Sequence, residues 1–324
     1  MSCYNLGMRL AMFLLQLVFL NLVAEVAMAD KFAYPPQKLN AAGIHTIKVS
    51  GVKGRLSIKG NGSKFFKIKV SHSKNKRFED WSLSVERQGD ALVLEVFNVA
   101  LGAQWRSLVR AELWPEFDIE IEGPSVPAVV SWREGQLNFT NWKSDLEAAY
   151  LSGNFQASGM RGHLKLQAVD GRIRISDFQG TLNLKGEKGK VELSRIQGPV
   201  ELSWLHGVLR GERLSGPLTL DLPSGNALLT QVSGKVKATG GSSEWDVAAS
   251  APSDIEVITD SGPVKIHWSG GAKLFLTSAS GAISVPKPYR VETRDGLKVV
   301  EATKEKQPRG QVFVRTQSGK ISWQ

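Results

Sequence analysis

Cysteine is nearly missing from this sequence. The single residue, Cys3, lies within the first 29 positions, and none follows it. Beyond those positions this excludes a disulfide framework, a thiol nucleophile, a cysteine-based metal site and a lipid-modified N-terminal cysteine. Histidine is sparse too: His45, His72, His163, His206 and His267 are scattered without ligand spacing, so no metal is expected from them. Apart from Leu10–Val23, no apolar run approaches membrane-spanning length. No arginine-rich run or recognisable reader motif is present, so nucleic acid is not an expected partner.

The apolar run has its own explanation. Arg9 precedes it and Ala27-Met28-Ala29 offers a small-x-small cleavage site before Asp30, so residues 1–29 read as a cleaved signal peptide. The chain is then exported and does not span a membrane after cleavage. Lysine and arginine number 41 against 31 acidic residues, a formal charge of +10. A basic exported protein is drawn to anionic lipid, lipopolysaccharide or charged glycan, although solubility alone would also account for the charge.

Glycine is what the sequence has in order. Of the twelve positions spaced nine apart from 135 to 234, eleven are Gly and one is Ser144. The residue two places on is always apolar, from Leu137 and Leu146 to Ala227 and Val236, and the residue four places on is apolar or Gly. That alternation predicts a strand with one buried face, and a fixed period of such strands predicts a solenoid. A third apolar position, as at Met160, Phe178 and Ile196, breaks the alternation and requires a bend before the next Gly, which supplies positive φ there.

The seventh position of each unit differs between alternate units: Asp177, Arg195, Arg213 and Gln231 in one set, Ala168, Trp204 and Leu222 in the other. The expected fold is therefore all-β, a single-stranded-type β-solenoid of stacked parallel strands with about 18 residues, two nonapeptide units, per coil. One coil cannot offset the entropy of ordering its own backbone, so the coils must stack.

Residues 30–130 read as a β-rich N-terminal cap with irregular first coils. Strands are expected at Ile44–Ser50, Arg55–Lys59, Phe65–Ser71, Trp81–Glu86, Ala91–Phe97 and Phe117–Glu122. Residues 131–324 read as the repeat region. The register loosens after 234, an insertion near 287–309 suggests a protruding hairpin or a mobile loop, and the pattern resumes at Gly310-Gln311-Val312 and Gly319-Lys320-Ile321.

Ser-Gly-x-apolar-x-apolar recurs as Ser215-Gly216-Pro217-Leu218-Thr219-Leu220, Ser261-Gly262-Pro263-Val264-Lys265-Ile266 and Ser318-Gly319-Lys320-Ile321. With the β-rich lead-in around Ile47-Lys48-Val49 and Gly54-Arg55-Leu56, this resembles the DUF4097 group of exported bacterial envelope proteins, described as adhesins. The resemblance covers nearly the whole chain after the leader. It implies a β-solenoid and a cell-envelope role, and carries no catalytic motif. Lys, Pro or Asn after the Gly, where that group often has Asp, departs from its pattern and makes this chain basic.

Site chemistry is thin. The sixth position holds no carboxylate ladder, so calcium is not expected along the array. An 18-residue coil brings no acidic pair together in the regular section; it stacks Arg174, Glu192 and Arg210 in one outer row instead. Trp142, Trp245 and Trp323 fall on inward positions, whereas Trp204 and Trp268 sit near corners, where core packing competes with exposure.

No catalytic, cofactor-binding or metal residue is identified. The candidate binding surface comprises Trp204, Trp268, Arg172, Arg174, Lys190 and Arg210. The expected function is that of a non-enzymatic adhesin or envelope-binding protein with an extended basic surface, in the periplasm or at the cell surface of a Gram-negative envelope. Its partner would be anionic lipid, lipopolysaccharide, glycan or protein. Two alternatives remain open: a passive envelope scaffold acting through a partner protein, and a carbohydrate-active β-helix.

Overall fold

The computed structural model describes residues 35–72, 81–98, 116–303 and 310–324. The leader, 1–29, lies outside them. No helix occurs among the described residues, and their twenty strands join one mixed, largely parallel sheet.

The first strands are β1 (Gln37–Asn40), β2 (Thr46–Gly60), β3 (Phe65–His72), β4 (Trp81–Gln88), β5 (Ala91–Asn98) and β6 (Phe117–Gly123). The alternation places all but β1, and β2 joins two expected strands into one. The regular section follows: β7 (Ala128–Thr140), β8 (Leu146–Ser158), β9 (Arg161–Gln197), β10 (Val200–Ser215), β11 (Leu218–Asp221) and β12 (Ser224–Gly240). These pair in parallel at a constant offset of 18 residues.

In a first ladder Ala128 pairs with Leu146, Leu146 with Leu164, and Val200 with both Leu182 and Leu218. In a second ladder Gly135 pairs with Gly153, Gly153 with Gly171, and Gly207 with both Gly189 and Gly225. The long strands bend from one ladder into the other, and the inward side chains of both meet in a single apolar core. The glycine column is compulsory because the backbones approach so closely. A Cβ on Gly171 would stand 2.1 Å from the Gly153 carbonyl oxygen.

Alternate units turn their corners in different ways, which explains a period of 18 and not nine. After the second ladder the seventh residue is left-handed: Asn141, Asp177, Arg195, Arg213 and Gln231 have φ between 53° and 56°. That twist aims the eighth residue inward, burying Trp142, Phe178, Ile196, Leu214 and Val232. After the first ladder plain alternation continues, so the seventh residue is buried instead, as at Tyr150, Ala168, Trp204 and Leu222. Positive φ at the corners is thus not confined to glycine; charged and amide side chains share it.

At the N-terminal end β2 is not outermost. It pairs in parallel with β7 on one side and with β5 and β6 on the other. β4 adds antiparallel to β5, β3 adds to β6, and β1 adds to β3.

The remaining strands are β13 (Glu244–Thr259), β14 (Val264–Ser269), β15 (Lys273–Ser278), β16 (Ile283–Ser284), β17 (Glu292–Arg294), β18 (Leu297–Thr303), β19 (Gln311–Thr316) and β20 (Ile321–Trp323). The last two are inserted. β19 lies between β13 and β15, and β20 between β14 and β16.

The expected insertion near 287–309 forms a β17–β18 hairpin about Asp295-Gly296, both with positive φ as a two-residue hairpin turn requires. It does not protrude. β18 pairs antiparallel with β15 and covers that ladder's edge. Residues 304–309 of the insertion lie outside the described residues.

Candidate functional site

In each nine-residue unit of the second ladder the third, fifth and eighth residues are buried, and the second, fourth and sixth point away from the core. Its strands therefore carry outward rows of side chains one strand spacing apart, about 4.8 Å. Arg172 and Lys190 occupy equivalent places in one row. Arg210 sits beside Glu192 on one side and Leu228 on the other in the next row, with Arg174 beyond Glu192. Strand geometry thus gathers the four basic residues singled out in the sequence onto one outer face of β9 and β10.

Their pairing is unequal. Glu192 Oε2 accepts from Arg174, at 3.0 Å from Nε and 2.9 Å from Nη2, while its other oxygen meets Lys190 Nζ. Those contacts draw the carboxylate away from Arg210. The hydrogen bond from Lys190 and then that from Arg174 hold the Glu192 pKa below its ordinary value, against the opposing effect of desolvation. Arg172 and Arg210 are exposed and have no ion-pair partner among the described residues. Glu212, the other acid on this face, is 3.7 Å from Arg213 around the corner. On β9 and β10 four basic and two acidic side chains leave a surplus of two positive charges, and past Leu228 the row continues to Asp246 on β13. A shallow depression opens here, bordered by Arg174, Glu192, Arg210, Glu212, Leu228 and Thr230.

The two tryptophans do not belong to this surface. Trp204 is 1 % exposed and Trp268 is 7 % exposed. Trp204 is turned inward because its unit continues the plain alternation, and its ring lies over Gly186, where a side chain would collide with it. Trp268 stacks on Trp323 with centroids 6.3 Å apart. Both are core residues, which corrects the corner-exposure reading. Trp142, Trp245 and Trp323 are likewise buried.

Leu228 is 42 % exposed in the middle of the charged rows and was not among the residues expected there. An apolar residue at the fourth position of a unit, where the alternation demands a polar one, was the signal that could have found it. The neighbouring corner carries its own pairing. Arg195 bonds both oxygens of Asp177, Nη2 to Oδ2 at 2.8 Å, and Arg213 Nε donates to Gln231 at 2.9 Å. The guanidinium of Arg195 lowers the Asp177 pKa.

No family model matches this sequence and no curated protein matches it, so the likeness to the DUF4097 group rests on the residue pattern. Among solved structures, the chain is similar to a "putative cell adhesion protein" of Clostridium sporogenes, with 15 % identity over 89 % of this chain and 99 % of that one, at a TM-score of 0.25. It is also similar to a "putative adhesin" of Bacteroides fragilis, with 10 % identity over 90 % of this chain and 96 % of that one, at a TM-score of 0.27. TM-scores of this size carry no argument about role.

Proposed function

We propose that this chain is a non-enzymatic, exported β-solenoid that binds a phosphate-bearing component of the cell envelope through the outer face of its second ladder. The 18-residue register supports the solenoid reading, and the leader supports export to the periplasm or cell surface. The observation that carries the binding reading is the pair of free guanidinium groups, Arg172 and Arg210, on a face whose central carboxylate is already held by Arg174 and Lys190. Guanidinium matches a phosphate with two parallel donors. Leu228, directly beside Arg210 on the ladder, adds an apolar contact suited to a charged group carried on a lipid.

The test is flotation of the purified protein with phosphatidylglycerol vesicles, against phosphatidylcholine vesicles, in about 0.1 M and about 1 M salt. Binding only to the anionic vesicles, lost at high salt and reduced in an Arg172→Gln/Arg210→Gln variant, supports the proposal. Binding that ignores lipid charge, salt and both arginines overturns it. A protein that binds no vesicle but recovers one stoichiometric protein partner from envelope extracts is instead a scaffold.

A further inference from the structure

The first ladder ends in a different kind of surface. Around β19 and β15 the register sets outward residues of four adjacent strands in a grid. Glu256, Phe313, Phe275 and Glu301 form one row across β13, β19, β15 and β18. Asp254, Gln311, Lys273 and Thr303 flank it on one side; Ile258, Arg315, Thr277 and Val299 flank it on the other.

Two phenylalanines therefore stand side by side on a solvent-facing sheet, one strand spacing of about 4.8 Å apart. Phe313 is 36 % exposed and Phe275 half-buried. Single exposed apolar residues are ordinary, but an adjacent aromatic pair is a surface with a use. Its border is mostly polar, with Ile258 and Val299 at two corners. Glu256 is an acceptor with no partner among the described residues, Arg315 and Lys273 are donors, and Gln311 and Thr277 are both. The Lys273 ammonium stands 5.0 Å from the Phe275 ring centroid.

We propose that Phe275 and Phe313 form a platform for the pyranose rings of a neutral β-linked glycan. A pyranose presents a C–H face that packs on an aromatic ring, and an equatorial belt of hydroxyls that both donate and accept. The platform supplies the complement of each: two flat rings in line along the ladder, then carboxylate, amide, guanidinium and ammonium around them. A lipid tail would need a wider apolar area than two rings and two corner aliphatic residues set among Glu256, Glu301, Lys273 and Arg315. This face is separate from the arginine face, so each reading can fail without the other.

The experiment is saturation-transfer NMR on the full exported chain with cellohexaose and chitohexaose as probes. Saturation is expected at the ring C–H protons of at least one hexaose. In a Phe275→Thr/Phe313→Thr variant, whose β-branched replacements suit an exposed strand, affinity falls by about tenfold or more. The Arg172→Gln/Arg210→Gln variant keeps wild-type affinity. An unchanged thermal midpoint in the threonine variant shows that the loss belongs to the surface. No transfer to either hexaose, or equal transfer with and without the two rings, overturns the platform and leaves the pair as a cross-strand packing contact.

Discussion

The Trp204 ring covers Gly186, its partner 18 residues earlier on the first ladder. A Cβ placed on Gly186 would stand 2.3 Å from both Cη2 and Cζ3 of the indole. The same arrangement recurs where Trp132 covers Gly51. In each case the inward position that could hold a medium side chain on both paired strands holds a large ring on one and nothing on the other. The total volume is kept while the layers interlock.

Gly186→Ala therefore forces the indole out of place. The expected loss is about 1–3 kcal/mol, the usual cost of overfilling a packed core, with a red shift in tryptophan emission as the ring moves. Urea denaturation followed by fluorescence measures both. A variant as stable as the wild type would mean that the ring has room to tilt.

The left-handed corner makes the opposite prediction for glycine. Arg213 has φ of 56°, and among the described residues its side chain contacts Gln231 and Glu212. Arg213→Gly removes the steric cost of that conformation and is expected to be at least as stable as the wild type. Arg213→Val adds a branched Cβ there and is expected to lose about 1–2 kcal/mol. Thermal melting of the two variants separates them, and the order Val above Gly would contradict the corner geometry.

Glu192 links stability to pH. Its folded-state pKa is lowered, so its contribution is fully present above the ordinary value of 4.5 and is lost as pH falls through the lowered one. The difference in urea midpoint between wild type and Glu192→Gln should be present at neutral pH and shrink progressively as pH falls below 4.5. It should also shrink in salt, because the group is near the surface.

The same substitution releases Arg174 and Lys190 and removes one negative charge from the arginine face. Glu192→Gln is expected to bind phosphatidylglycerol vesicles more tightly, by about 0.2–1 kcal/mol, the scale of an exposed ion pair. Weaker binding would show that Glu192 itself contacts the ligand.

Much of this was legible in the residues. The column of glycines, the inward rows such as Leu146, Leu164 and Leu218, and the corner difference between Arg195 and Trp204 all follow from short-range rules of alternation and backbone sterics. The placement of Arg172, Arg174, Lys190 and Arg210 on one face followed from the same period. Three things did not. Trp204 and Trp268 could not be assigned to core or corner, because that depends on whether a unit twists at its seventh residue. The aromatic pair went unseen because the register turns Phe313 outward without saying that Phe275 is its neighbour, which follows only from the insertion of β19 beside β15. The insertion of β19 and β20 is a choice among similar strands, and nothing local in Val312-Phe313-Val314 tells β13 that it is a better neighbour than Lys273-Leu274-Phe275.

That insertion bears on how the protein is completed. The rung formed by β15 and β16 is joined to the rest of the array through residues made after it, since Lys273 and Ile283 find their parallel partners in Gln311 and Ile321. A polypeptide made from its N-terminus can wind the middle rungs as they appear, but the rung of β15 and β16 must wait with an open slot until residues 310–324 arrive. A chain stopped at Thr303 is expected to keep the centre of the array while releasing both the finished end and the aromatic pair that lies on it. Closure of that rung and assembly of that surface would be one event, timed by the arrival of β19 and β20.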